Sequence, residues 1–238
     1  MRIRGLLLLL LFVAGCSNAT PYATTVGILR PGATMTVRVA DATVDAYQPA
    51  AGEPRDRFTV SATARGKTTP APPKIRPAGK GIVVEASQPL ASLLVRVPDG
   101  VVLVVDSRGG DVNVTDVKGS ARIVAAAGNV RVFMRDGYAE AATQRGNVSV
   151  AMGATRWPGT LLFSTQNGDV EVSVEETAAF RVHLHTNGGT LFTDFNLRGT
   201  SSGASETIDG AVNGGGKQRI DVEVTRGSIR LLRLHAQA

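Results

Sequence analysis

From residue 100 onward, aliphatic and polar positions alternate in short runs that return at a nearly even interval. The recurring unit is Gly-polar-aliphatic-x-aliphatic. It occurs as Gly110-Asp111-Val112-Asn113-Val114, Gly128-Asn129-Val130-Arg131-Val132, Gly146-Asn147-Val148-Ser149-Val150, Gly168-Asp169-Val170-Glu171-Val172 and Gly227-Ser228-Ile229-Arg230-Leu231. A degenerate copy is Gly189-Thr190-Leu191-Phe192-Thr193, and a second lies near Gly210-Ala211-Val212. Successive glycines are 17 to 22 residues apart. Between them lie further strand-like runs at 121–124, 161–164, 180–184 and 219–224, and one at 103–105 leads into the first copy. A two-residue alternation gives each run one dry and one wet face.

A period near 20 with short strands predicts a parallel β-solenoid, in which coils stack about 4.8 Å apart and their inward aliphatics form continuous columns. Stacking in chain order places Val112, Val130, Val148, Val170, Leu191 and Ile229 in one column. Val114, Val132, Val150, Val172 and Leu231 fill the next. The repeat glycine supplies a positive φ at a corner, and the Asn or Asp after it can bond local backbone and its stacked equivalents. Gly-Asn and Gly-Asp also suit hairpins, so an antiparallel meander or sandwich is the competing architecture. The even spacing favours the solenoid. The fold class is therefore all-β: a parallel β-solenoid, β-helix-like, of about 20-residue coils, with a β-rich N-terminal region or cap.

The first half differs in its punctuation. Ten of the 11 prolines precede residue 100 and 19 of the 27 glycines lie at or after it, so turn chemistry changes near Pro98-Asp99-Gly100. Strand signals at 35–39, 58–62, 82–86 and 93–97 are separated by Pro/Gly loops. The expected organisation is a leader at 1–15, a tether at 16–25, a β-rich region or cap at 26–98 and the repeat domain at 99–238. The segment 65–81 contains Arg65, Lys67, Lys74, Arg76 and Lys80, four prolines and no acid. It reads as a stiff basic connector, and Lys67, Lys74, Arg76 and Lys80 are candidate contacts for an anionic envelope polymer or lipid surface.

The N-terminus adds a location. Arg2 and Arg4 precede an apolar stretch from Leu6 to Phe12 that is too short to span a bilayer, which needs roughly 20 residues. The following Val13-Ala14-Gly15-Cys16 resembles the lipobox of bacterial lipoproteins at all four positions, and Cys16 is the only cysteine. The resemblance implies recognition of Val13, Ala14 and Gly15 by a lipoprotein peptidase and lipid chains, palmitate among them, on Cys16. At about 0.8 kcal/mol per buried CH₂, two or three chains hold a protein durably on a membrane. Its partner is then the lipid bilayer, and its location is the bacterial cell envelope. Removing Arg2 and Arg4 from 26 basic residues leaves 24 against 20 acidic ones, a mild net charge of +4. That suits anionic polymers more than nucleic acid, which is not expected as a partner. With 5% aromatic residues, the interior is filled by small and β-branched side chains.

The run Leu94-Val95-Arg96-Val97-Pro98, the repeats and the final Asn213-Gly214-Gly215-Gly216 before Gly227-Ser228-Ile229 resemble an adhesin-type family of β-strand-repeat proteins from bacterial envelopes. The resemblance covers roughly residues 80 to 234. It implies a β-helix domain, often membrane-tethered, with no known catalysis, no cofactor and no catalytic residues.

Individual residues add candidates. Asp111, Asn129, Asn147 and Asp169 offer oxygen to calcium or, more simply, a polar ladder. His183 and His185 share a strand face as half of a metal site, without an evident third ligand; no metal is expected. Gly199 to Gly203 spells Gly-x-Ser-x-Gly by letter, but in a loop setting. Asp194, Glu206, Asp209, Glu171 and Glu175 are the carboxylates of the enzyme alternative, a polysaccharide-active enzyme on a β-helix scaffold, which needs two carboxyls facing across a cleft. Trp157, the sole Trp, is either an exposed contact for a glycan or protein partner, or an indole folded over the solenoid edge.

Overall fold

A computed structural model describes residues 21–67 and 69–234 and contains no helix among them. The first half gives β1 (Ala23–Ile28), β2 (Thr34–Val39), β3 (Thr43–Tyr47), β4 (Arg57–Thr63), β5 (Lys74–Ala78), β6 (Gly81–Ala86) and β7 (Ser92–Arg96). The repeats follow as β8 (Val102–Ser107), β9 (Val112–Thr115), β10 (Ser120–Ala125), β11 (Val130–Met134), β12 (Tyr138–Arg145), β13 (Val148–Met152), β14 (Thr160–Asn167) and β15 (Val170–Glu175). The chain ends with β16 (Phe180–Thr186), β17 (Leu191–Thr193), β18 (Gly199–Ser202), β19 (Ser205–Val212), β20 (Arg219–Arg226) and β21 (Ile229–Leu234).

The repeats alternate between two sheets, so each consecutive pair of strands from β8 to β15 forms one coil, parallel to its neighbours. The sequence period is the stacking register: Val112 faces Val130, Val130 faces Val148 and Val148 faces Val170. All four are buried, as are Val114, Val132, Val150 and Val172 beside them. The facing sheet contributes Leu103, Ala121, Ala139 and Leu161, and then Val105, Ile123, Ala141 and Phe163. Each fully buried aliphatic is worth about 1.5–3 kcal/mol, which makes the columns the main source of stability.

The first half does not stand apart from this stack. β2 and β3 pair in parallel with β8 and β9, and β6 and β7 pair with β2 and β3 in turn, giving two further coils. β4 and then β1 add antiparallel strands beyond β7, and β5 does so beyond β6. The strand β1 lies partly within the expected tether, and β5 lies within the expected connector, where Ile75 packs on the core while Lys74 and Arg76 stay exposed.

Stacking does not follow chain order at either end. The last coil, β20–β21, lies between β14–β15 and β16–β17, so the column runs Val170, Ile229, Leu191 and not Val170, Leu191, Ile229. The correction has a geometric basis. β16 begins two layers away from β14, about 10 Å at 4.8 Å per layer, and the connection 176–179 has the reach to cover it. Alternation alone cannot rank neighbours, because every coil presents equivalent aliphatics. The expected repeat copy near Gly210 is also not a coil: it lies in β19, antiparallel to β16, with Val212 opposite Phe180.

Candidate functional site

Each coil has two corners, and they use their polar groups differently. At the corner leading into β9, β11, β13, β15 and β21, glycines 110, 128, 146, 168 and 227 have φ between +90° and +146°. A Cβ on Gly146 would lie 2.2 Å from the Gly128 carbonyl oxygen, and one on Gly168 would lie 2.1 Å from that of Gly146. Glycine is therefore required twice over, by backbone conformation and by close approach.

The residue after each glycine builds a ladder. The Asn129 N–H donates to Asp111 Oδ1 at 2.9 Å, Asn147 N–H to Asn129 Oδ1 at 3.0 Å, Asp169 N–H to Asn147 Oδ1 at 2.9 Å and Ser228 N–H to Asp169 Oδ1 at 2.7 Å. Buried Thr143 and Thr165 donate their hydroxyls to the Gly128 and Gly146 carbonyls. The Asn129 N–H, with help from Arg131, holds the Asp111 carboxyl below the usual aspartate range against the opposing effect of burial. The oxygens that suggested calcium are thus engaged by backbone, and among the described residues no group of three or more ligating side chains is placed to hold a metal.

The opposite corners form an open cleft of about 850 Å³ where the connections 153–159, 176–179 and 213–218 meet. Trp157 is its floor. The indole is 5% exposed, donates Nε1–H to the Arg219 carbonyl at 3.3 Å and lies 5.6 Å from the Phe180 ring, which meets Phe195 edge-on at 5.7 Å. The exposed-contact expectation for Trp157 is corrected: the ring is folded in, filling the seam opened by the jump in strand order. The rim is Arg156, Pro158, Thr177 and Lys217, all exposed, and no carboxylate lines it. Such an arrangement can receive an anionic group between two cations over a rigid apolar base.

The other predicted residues lie elsewhere. Lys74 and Arg76 are on β5, with Lys67 and Lys80 in the flanking connections, at the far end of the stack from the cleft; Arg76 pairs with Glu85 at 3.4 Å. Cys16, Val13, Ala14 and Gly15 lie outside the described residues. His183 and His185 do share the outer face of β16, with stacked rings 6.4 Å apart. Their nitrogens meet Asp209 at 2.7 Å, Thr207 at 2.9 Å and Asn187 at 3.0 Å.

Several carboxylates of the enzyme alternative serve the fold. Glu206 accepts from Leu191 N–H at 2.9 Å, Asp194 accepts from Arg233 N–H at 3.2 Å, and Glu171 pairs with Arg230 at 3.3 Å. The Gly199 run forms β18 and a turn into β19, with no helix after it. Lys217 escaped sequence reasoning because only the displaced last coil brings its loop beside Arg156.

No curated protein matches this chain. Among solved structures, it is similar to a "putative cell adhesion protein" from Clostridium sporogenes, at 10% identity over 90% of this chain and 100% of that one, with a TM-score of 0.48. It is also similar to a "putative adhesin" from Bacteroides fragilis at 9% identity, covering 89% and 96% of the two chains with a TM-score of 0.32. A family profile matches residues 100–232, more than half of the sequence and the whole run from β8 to β20. By that match the chain belongs to the Toastrack DUF4097 family.

Proposed function

We propose that this chain is a lipid-anchored lipoprotein of the bacterial envelope and acts as a non-catalytic, adhesin-like module that binds an anionic envelope polymer. One observation carries the binding reading: the cleft over Trp157 sets Arg156 and Lys217 on its rim with no carboxylate among its lining residues. A polymer bearing phosphate or carboxylate groups matches that rim in charge, and the rim is built from connecting loops held on a stack of paired strands. The anchor reading is supported by the match of Val13-Ala14-Gly15-Cys16 to a lipobox and by the use of the sole cysteine there.

The two parts separate experimentally. Replacement Cys16→Ser is expected to remove the lipid mass and to let high salt release the protein from the membrane, since only electrostatic contacts are screened; unchanged mass and salt-resistant fractionation refute the anchor. Double reversal Arg156→Glu/Lys217→Glu is expected to lower retention on isolated cell-wall fractions by roughly tenfold or more, at about 1 kcal/mol per cation on a charged surface. Equal retention removes the cleft from the binding surface, and shortening of the polymer on incubation with wild type contradicts the non-catalytic reading.

A further inference from the structure

The two sheets end together on the N-terminal side, in β1 and β5, and that end differs from the rest of the molecule. Residues 21–31 and 48–99, which build β1, β4, β5, β6, β7 and their connections, hold nine Lys and Arg against four Asp and Glu. Residues 176–218 at the opposite end hold three against four. Arg30, Arg57, Lys67, Lys74 and Lys80 are all exposed, and among the described residues none of them forms an ion pair. The molecule is therefore charged along its stacking axis, with the positive pole at the N-terminal end.

Two further features converge on that pole. Strand β1 carries no charged residue and leaves Val26 and Ile28 53% and 66% exposed. Just before β1, Tyr22 donates its hydroxyl to the Ala71 carbonyl at 3.2 Å, in the middle of the basic proline-rich segment. The chain thus enters the fold beside the segment that carries Lys67 and Lys74. Cys16 is six residues earlier, a length of chain that reaches at most about 20 Å. A lipid on Cys16 would leave this end of the stack no farther than that from a bilayer.

We infer that the N-terminal end of the solenoid seats on an anionic lipid bilayer, with Lys67, Lys74 and Lys80 against phosphate head groups and Val26 and Ile28 at the head-group boundary. The stack then stands off the membrane and carries the β16–β19 end outward by roughly 45 Å, the span of ten strands at about 4.8 Å each. The inference rests on the lipid anchor for delivery to the surface; the charge and the exposed aliphatics are independent of it.

The test reads distance from the head groups at both ends of the stack. Protein extracted from membranes, carrying one introduced cysteine at an exposed position, Ala71→Cys or Ser202→Cys, is labelled with a fluorophore. It is then reconstituted into phosphatidylcholine vesicles with or without phosphatidylglycerol, in the presence of a head-group quencher. The label at 71 is expected to be quenched only with phosphatidylglycerol, and the label at 202 in neither membrane. Each lysine near an anionic surface contributes about a fivefold preference, so Lys67→Glu/Lys74→Glu/Lys80→Glu lowers the seated population on the order of 100-fold. These side chains are exposed, and an unchanged melting temperature verifies that the variant is folded.

Quenching at 71 that ignores phosphatidylglycerol, or that survives the triple reversal, overturns the inference. Protein recovered without lipid refutes the anchor but still tests the surface. It is expected to float with phosphatidylglycerol vesicles and to lose that association on reversal, and failure to float overturns the seating.

Discussion

Gly146 is held at φ +140° with the Gly128 carbonyl oxygen where a side chain would start. Gly146→Ala combines backbone strain with a contact against atoms locked in the ladder, and is expected to cost about 2–4 kcal/mol and lower Tm by roughly 5–15 °C. Gly32, at φ +82° with nothing within 4 Å of where a methyl would lie, is the control. Gly32→Ala meets the strain alone, about 1–2 kcal/mol. Equal melting temperatures for the two variants contradict the close-approach argument. Asp111 supplies a pH signature. Its folded-state value is depressed, so its contribution is complete above the unfolded pKa of about 3.9 and is lost as pH falls through the folded value. Asp111→Asn keeps an acceptor oxygen, as Asn129 and Asn147 do on the next rungs, but does not titrate. The stability advantage of wild type over Asp111→Asn is therefore expected to shrink below about pH 4, measured by urea midpoints at neutral and acid pH. An advantage that stays constant would reject the assignment.

At the scale of elements, the inside was legible and the order was not. Alternation around Val130 and Val148 predicts both their burial and their register, since a one-residue slip would turn the whole strand inside out. Strand β3 escaped notice because its inward residues are only Val44 and the small Ala46, and β12 because its inward residues are the small Ala139, Ala141 and Thr143. Strand β5 reads as a loop because Lys74, Arg76 and Pro77 are the residues that blunt a sheet edge. Of the candidate site, the Trp157 loop was visible but its partner loop was not, because strand order is set by chain reach and not by pattern. A chain ending at Gln218 tests that order. It lacks β20 and β21, so β14 and β16 lose their shared neighbour. The segment β16–β19 is expected to become protease-sensitive while the coils from β2 to β15 keep a cooperative melt, as nearest-neighbour stacking requires. If β16 instead docks directly on β14 and stays protected, the inserted coil is dispensable.

For the whole molecule, the inserted coil separates local from distant assembly. Rungs within the central stack join residues 18 to 22 apart, as from Asp111 to Asn129 and from Asn147 to Asp169, whereas the rung from Asp169 to Ser228 joins residues 59 apart. Closing the longer loop adds entropy loss that the central coils never meet, which makes it the slower event. The last two described strands in chain order lie inside the stack, with β17 beyond β21 in one sheet and β16 beyond β20 in the other. The coil β20–β21 therefore behaves as a keystone: β16 has no parallel neighbour until it docks, and without it a seam stays open beside Phe180 and Trp157. The cleft over Trp157 is thus conditional on a coil more than fifty residues away in the chain, since the Arg219 carbonyl that holds the indole arrives only with β20.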